Sequence, residues 1–347
     1  MKKVAIIGHF GGNESFCDGQ TVKTKNLEEL LLGQPDILVR RVDTYYSRKN
    51  KIGLLLKTVR ALFGCEDIFL LVAENGMRVF LPLLYYINKI TKRNIYHYVI
   101  GSELLALVDR KRRLVRYLNS FKANWFEYEG GTKKLLEMGV KNASTLPNFK
   151  NITPVNEAKK FPPHISEFRF CTFSRVMLEK GITDAVMAID EVNKKYGRVA
   201  ATLDVYGPVD PSYQLEFDEL LRSYSDFLSY KGVKDSQRSV EVLSDYYALL
   251  FPTRYEGEGM PGTVIDAFAA GVPVIATDWN ANSEIIGNMK NGIIYPSEEI
   301  KTLFDAILWS VNNVGAMNEM RIASRREYTK YMPSTVLDVI LGAMSGS

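Results

Sequence analysis

Short, almost uninterrupted apolar runs alternate with segments of helical length along this chain, and the alternation occurs twice over. In the first half the runs are KKVAIIGH (2–9), DILVRRV (36–42), DIFLLVA (67–73), NIYHYVIG (94–101), NWFEYE (124–129) and ASTLPN (143–148). In the second they are FRFCTFS (168–174), ATLDVYG (201–207), DFLSYKG (226–232), YALLFPT (247–253), VPVIATD (272–278) and NGIIYP (291–296). Strands apolar on both faces, separated by helices, predict parallel sheets covered on both sides. Between the halves, NITPVNEAKKFPPHISEF (151–168) carries Pro154, Pro162 and Pro163 with few large apolar residues, as linkers do. The expected class is therefore α/β: two Rossmann-like, doubly wound domains facing across a cleft. Their expected limits are 1–160 and 161–332, with a C-terminal helix 333–347, broken off at Pro333, returning to the first.

A chain of 347 residues is long enough for two cores, and at 46% hydrophobic and 24% charged it has an ordinary globular composition. Cys17, Cys65 and Cys171 are odd in number and distant in sequence. They predict neither a disulfide framework nor a metal clip, and point to a reducing, cytoplasmic setting. The apolar run at the N-terminus reads as a first strand rather than a signal peptide. No apolar stretch approaches the ~18–20 residues that span a bilayer. Charge is unevenly divided: residues 1–160 hold 27 Lys and Arg against 15 Asp and Glu, a balance of +12, and the remainder carries −8. The first half is expected to face something anionic.

The stretch YEGEGMPGTVIDAFAAGVPVIATD (255–278) places Glu256 and Glu258 before a Gly-Met-Pro-Gly turn and Asp266 beyond it. With YALLFPT a strand and GTVIDAFAAG a helix closed by Gly271, the turn lies at the carboxyl end of a parallel strand, where open α/β sheets bind ligands. Gly257, Gly259 and Gly262 allow a ligand close to the backbone, and Pro261 suits a first helical turn whose free N–H groups attract anions. Carboxylates repel phosphate but accept hydrogen bonds from sugar hydroxyls. Glu258 and Asp266, expected on the order of 8–10 Å apart, would each hold one sugar of a nucleotide sugar, with the diphosphate between them. The plainer reading, with Asp266 complementing a helix dipole and the glutamates solvated, stays open. FSRVMLEKG (173–181) supplies cations at the same sheet edge: Arg175 for a bidentate phosphate grip and Lys180 as a point charge.

These two segments together, S-R-V-x-x-E-K-G and F-P-T-x-x-x-G-E-G-M-P-G-x-x-I-D-A-x-A-A-G-V-P-V-I-A, resemble retaining glycosyltransferases of family 4, which have the GT-B fold; the turn subtype resembles enzymes of bacterial surface-polysaccharide assembly. The likeness covers nearly the whole chain, including LPNFKN (146–151). It implies that Glu258 contacts the transferred sugar, that Asp266, where Glu is usual, contacts the ribose, and that Arg175 and Lys180 hold the diphosphate. Gly259, Met260, Pro261 and Gly262 would line the donor site. In the Gly-rich loop 8–24, Gly19 and Gln20 become donor-side candidates. The loop does not match the dinucleotide fingerprint.

The resemblance implies a sugar moved from a nucleotide diphosphate sugar to an acceptor hydroxyl, with no cofactor and no metal. The acceptor would be a glycan or a lipid-diphosphate-linked glycan. His97, inside an apolar strand, is expected to be core. His9 is a weak candidate, and scattered His and Cys provide no zinc site. Asn282 and Glu284 could add donor contacts, Asn282 otherwise capping a short helix. The basic, partly apolar stretches 48–63 and 109–118 fit either solvated helix faces or contact with an anionic membrane at its inner face. No recognition motif suggests nucleic acid. A sugar-nucleotide epimerase of the same fold and a non-catalytic partner subunit are the alternatives.

Overall fold

The computed structural model describes residues 1–12, 19–48, 50–297 and 300–346. Among them twelve strands form two parallel sheets of six. Each apolar run of the sequence carries one strand, so the doubly wound α/β reading holds.

The first sheet contains β1 (Lys2–Gly8), β2 (Ile37–Asp43), β3 (Asp67–Leu71), β4 (Asn94–Tyr98), β5 (Ala123–Phe126) and β6 (Ala143–Thr145), in the order β2-β1-β3-β4-β5-β6. Register pairs Val4 with Val39 and Ile6 with Phe69. Because successive side chains point to opposite faces, Ala5, Ile7, Ile68 and Leu70 build one core and Val4, Ile6, Phe69 and Leu71 another. The first core is closed by α2 (Lys51–Gly64), α3 (Glu74–Thr91), α4 (Glu103–Arg110), α5 (Arg113–Leu118) and α6 (Glu129–Glu137). The second is closed by α1 (Gly19–Leu32) through Leu27 and Leu31.

The second sheet contains β7 (Phe168–Phe173), β8 (Ala201–Tyr206), β9 (Leu228–Gly232), β10 (Ala248–Phe251), β11 (Val274–Thr277) and β12 (Gly292–Tyr295). Its order, β12-β11-β10-β7-β8-β9, is the Rossmann order 3-2-1-4-5-6 read from the far edge. The switch point lies between β7 and β10, the strands that precede the two sequence motifs. Helices α7 (Ile182–Tyr196), α8 (Gln214–Ser223), α9 (Ser239–Leu243), α10 (Gly262–Ala269), α11 (Asn282–Ile285), α12 (Ile300–Asn312) and α13 (Val314–Glu327) follow along the chain.

The terminal helix α14 (Pro333–Ser345) starts with Pro333 in its first turn, where a missing N–H costs nothing. Val336, Ile340 and Met344 add to the second core of the first sheet, and Lys2 Nζ and Tyr96 Oη donate to the Met344 and Ala343 carbonyls at 2.7 and 3.1 Å.

Two compact units result. One comprises Met1–Asn151, Gly257–Pro261 and Tyr331–Ser347; the other comprises Ile152–Glu256 and Gly262–Lys330. The changeover comes at 151 rather than 160 because the extended segment after it bonds to second-unit elements. Val155 N–H donates to Ala269 O at 3.0 Å, Arg325 Nε to Val155 O at 2.6 Å and Tyr328 Oη to Ile152 O at 3.2 Å.

Candidate donor site

Arg175 and Lys180 come from one loop of the second unit. Phe173 ends β7, and the chain is turned by glycines whose lack of a side chain is essential. A Cβ on Gly207, at φ +129°, would lie 1.8 Å from the Ser174 carbonyl oxygen, and one on Gly181, at φ +69°, 2.2 Å from the Pro252 oxygen. The loops after β7, β8 and β10 are thereby pressed together, and only Gly tolerates both the contact and the positive φ. The Val176 N–H donates to Pro208 O at 2.9 Å and the Arg254 N–H to Glu179 O at 2.7 Å, locking the loop on both sides.

That locking brings the two predicted cations to one aromatic ring. The Arg175 guanidinium lies 5.6 Å from the centre of the Tyr255 ring, and Lys180 Nζ lies 5.0 Å from the same ring and 5.6 Å from Phe251. Arg175 is exposed, whereas the Lys180 residue is only 8% exposed. A buried ammonium is costly unless something on the site's axis compensates it, and the aromatic faces supply part of that. Tyr255 is itself fixed: its N–H donates to Thr253 Oγ1 at 3.2 Å, and its carbonyl accepts from Trp279 Nε1 at 2.9 Å. Tyr255, which the switch point sets against both cations, carries no signal of its own in the sequence.

Asp266 is buried, 2% exposed, as the fifth residue of α10. It lies beyond the first helical turn, so the dipole-complement reading does not fit its position. Gly262 opens α10, with Pro261 immediately before it rather than inside the first turn as expected. Asn282 does not cap α11. It is the helix's first residue, buried, and its Nδ2 donates to the Thr277 carbonyl at 3.1 Å, bracing the end of β11; Glu284 is exposed.

The turn residues Glu258, Gly259, Met260 and Pro261 belong to the first unit, with Glu258 half-buried and Met260 and Pro261 buried. There the Met260 N–H donates to Glu127 Oε2 at 3.1 Å, Asn148 Nδ2 donates to Met260 O at 3.1 Å, and the Asn148 N–H meets Met260 Sδ at 3.3 Å. A Cβ on Gly259 would come within 2.4 Å of Glu127 Oε2, so glycine is required by close approach. Glu127 is also paired with Lys23, Nζ to Oε1 at 2.7 Å, and both residues are nearly inaccessible at 5% and 2%. Lys23 further donates to Val99 O at 2.7 Å and lies 3.5 Å above the Tyr98 ring. Burial pulls its pKa below the usual lysine value, against the raising influence of Glu127. The sequence carried a signal for Lys23 but none for its partner: Lys23, Leu27 and Leu31 form one stripe at four-residue spacing, and the lysine takes a core-facing place.

Gly19 opens α1 exposed to solvent, and Gln20 is half-buried, its carbonyl accepting from Thr24 Oγ1 at 2.9 Å. Residues 13–18 of that loop, Cys17 among them, lie outside the described residues. Gly11 and Gly12, at φ +83° and +59°, form a turn held by Asp43, whose carboxylate accepts from the N–H groups of Phe10, Gly12 and Tyr45 at 2.9–3.0 Å. His9 bonds Thr21 Oγ1 at 2.7 Å. His97 is fully buried, edge-on to Phe121, and burial lowers its pKa to about 4. Among the described residues no group of three or more His, Cys, Asp or Glu side chains could hold a metal ion.

Residues 167–313 match the family model described as glycosyl transferases group 1. Over 70 residues the chain is 39% identical to the lipopolysaccharide core biosynthesis mannosyltransferase LpsB of Rhizobium meliloti (strain 1021); that match spans 18% of this chain and 19% of the relative's length. The structure is similar along its whole length to Anabaena Alr3699/HepE, solved in complex with UDP and glucose (TM-score 0.73, 12% identity, 100% of each chain). It is similar as well to sucrose-phosphate synthase of Thermosynechococcus elongatus (TM-score 0.72, 16% identity, 100% of each chain). The fold is GT-B.

The two basic stretches differ in how their apolar residues are used. Along 109–118, Leu114, Tyr117 and Leu118 are buried while Arg110, Lys111, Arg112, Arg113 and Arg116 are exposed, an ordinary amphipathic face. On α2, by contrast, Ile52 (74%), Leu55, Leu56 and Phe63 (57%) stay exposed among Lys51, Lys57 and Arg60. Among the described residues no helix is long and apolar enough to cross a membrane.

Proposed function

We propose that the protein is a retaining, metal-independent hexosyltransferase of the family 4 type, taking its sugar from a nucleotide diphosphate sugar. The observation that carries the reading is the meeting of Arg175 and Lys180 at Tyr255, on the switch point of a Rossmann sheet. Two cations at a helix-bearing sheet edge suit a diphosphate, because a dianionic leaving group must be stabilised as the glycosidic bond breaks. Lys180, held in a largely dry setting, interacts more strongly with developing phosphate charge than an exposed lysine would. Arg175, exposed and planar, grips two oxygens at once. Glu258 accepts hydrogen bonds from hydroxyls of the transferred sugar and Asp266 from the ribose. The α10 N-terminus after Gly259, Met260, Pro261 and Gly262 offers its N–H groups to the phosphates, and Gly19 and Gln20 are further candidates for donor contact. The leaving phosphate takes the acceptor proton on the same face of the sugar, so no protein nucleophile is needed and catalysis is mostly positioning and charge stabilisation.

The acceptor is a glycan, in the reading preferred here a lipid-linked one of bacterial polysaccharide assembly. The name of the R. meliloti relative and the exposed apolar residues of α2 among its cations support this, since such a helix face lies in the headgroup region of an anionic bilayer. A transfer assay over a panel of nucleotide sugars, with water and lipid-linked glycans as acceptors, tests the reading. Release of the nucleoside diphosphate with retention at the anomeric carbon is expected. No turnover of any donor would refute it.

A further inference from the structure

We propose that Lys23 and Glu127 are positioning residues for the turn that carries Glu258. This rests on the reading of Glu258 as the group on the transferred sugar. The turn is rich in glycine, with Gly257, Gly259 and Gly262 around Glu258. Such a segment loses more conformational entropy on ordering than most others. Something must therefore hold it if Glu258 is to meet a sugar in one place.

The hold comes from Glu127. One oxygen, Oε1, is taken by Lys23 at 2.7 Å; the other, Oε2, accepts the Met260 N–H at 3.1 Å, two residues beyond Glu258. Asn148 adds to the grip, donating to the Met260 carbonyl at 3.1 Å. Gly259 passes so close that a Cβ would fall 2.4 Å from Glu127 Oε2 and 3.0 Å from Gly101 Cα. The carboxylate is aimed in turn by Lys23, whose other partners, the Val99 carbonyl and the Tyr98 ring, lie at the end of β4.

Stability alone gives a poor account of the pair. Buried ion pairs are replaced by apolar residues of like volume at little or no loss, because desolvation offsets their attraction. What an apolar pair cannot do is accept a main-chain N–H from the turn. The buried charge of Lys23 fixes which way the carboxylate points, and the carboxylate fixes the turn.

Two double variants isolate that acceptor. Lys23→Met with Glu127→Gln removes both charges and keeps an oxygen for Met260 N–H; Lys23→Met with Glu127→Leu removes the oxygen too. In the full-length protein, hydrogen exchange at the Met260 amide should accelerate at least tenfold in the leucine variant and stay within threefold of the unaltered protein in the glutamine variant. Sugar transfer, read as kcat/KM, should divide the same way, at thermal midpoints within a few degrees of each other. Equal exchange and equal turnover in the two variants would overturn the proposal. If neither variant folds, the unaltered protein still decides: a Met260 amide exchanging as freely as an exposed loop amide would end it. An exchange difference in a protein that transfers no sugar refutes the glycosyltransferase reading and leaves the clamp on the turn standing.

Discussion

Replacing Lys180 by Met separates charge from packing at the proposed diphosphate site. The methionine keeps an unbranched stem of similar length, so contact with Phe251 and Tyr255, 5.6 and 5.0 Å from the ammonium, is largely kept. What is lost is a positive charge in a residue only 8% exposed. A charge-assisted contact to a phosphate oxygen contributes about 1.5–3 kcal/mol, or roughly 10- to 150-fold in kcat/KM. On the stability side, the lost attraction of the ammonium to its surroundings, the two aromatic faces among them, is offset by no longer burying a charge. Lys180→Met should therefore lower transfer at least tenfold while moving the thermal midpoint by only a few degrees. Initial rates with a turning-over donor, beside thermal denaturation with and without the nucleoside diphosphate, measure both quantities. The stabilisation given by the diphosphate should shrink in the variant. Turnover within twofold of the unaltered protein, at matched stability, would refute the charge assignment. A large fall in midpoint with proportionate loss of activity would assign Lys180 to packing instead.

Burial holds His97 at about 4, below its ordinary 6.5. The unfolded chain therefore takes up the proton first, and the stability from neutral His97 is complete above pH 6.5 and lost as pH falls toward 4, at about 1.4 kcal/mol per unit. His97→Leu should flatten the difference in urea midpoint between pH 7 and pH 4.5; an unchanged difference would contradict the burial argument. Arg321, fully buried, donates to the carbonyls of Lys159, Ser244, Tyr246 and Tyr247 at 2.5–3.2 Å. Arg321→Leu strands those acceptors and should cost about 3–5 kcal/mol of unfolding free energy, read by chemical denaturation. Gly207→Ala forces a methyl group against the Ser174 oxygen and should cost at least ~2 kcal/mol and disturb Arg175. Gly197→Ala, at φ +62° with nothing within 4 Å, should cost only about 1 kcal/mol.

The strands were legible because parallel sheets buried on both faces demand continuous apolar runs, and runs such as AIIG in β1 or VIAT in β11 have no other use. The place of Arg175 and Lys180 in the fold was legible for a related reason: a polar loop after the first strand of a Rossmann unit falls at the carboxyl edge of its sheet. Tyr255 and Glu127 were not. An aromatic beside a glycine turn and a glutamate ending a strand are ordinary in sequence, and their meaning comes from the groups that the fold brings against them. Likewise, equal basic content along 48–63 and 109–118 hid a difference in apolar exposure that depends on which helix face meets the core.

Local periodicity and turn chemistry, acting over a few residues, thus determined by themselves that this chain makes two parallel α/β sheets and which loops end on their ligand edges. Tertiary structure alone decided that Lys23 meets Glu127 across 104 residues and Glu127 meets Met260 across 133. Such pairings follow from strand order and register, which are set by how whole sheets bury their faces and not by any local stretch.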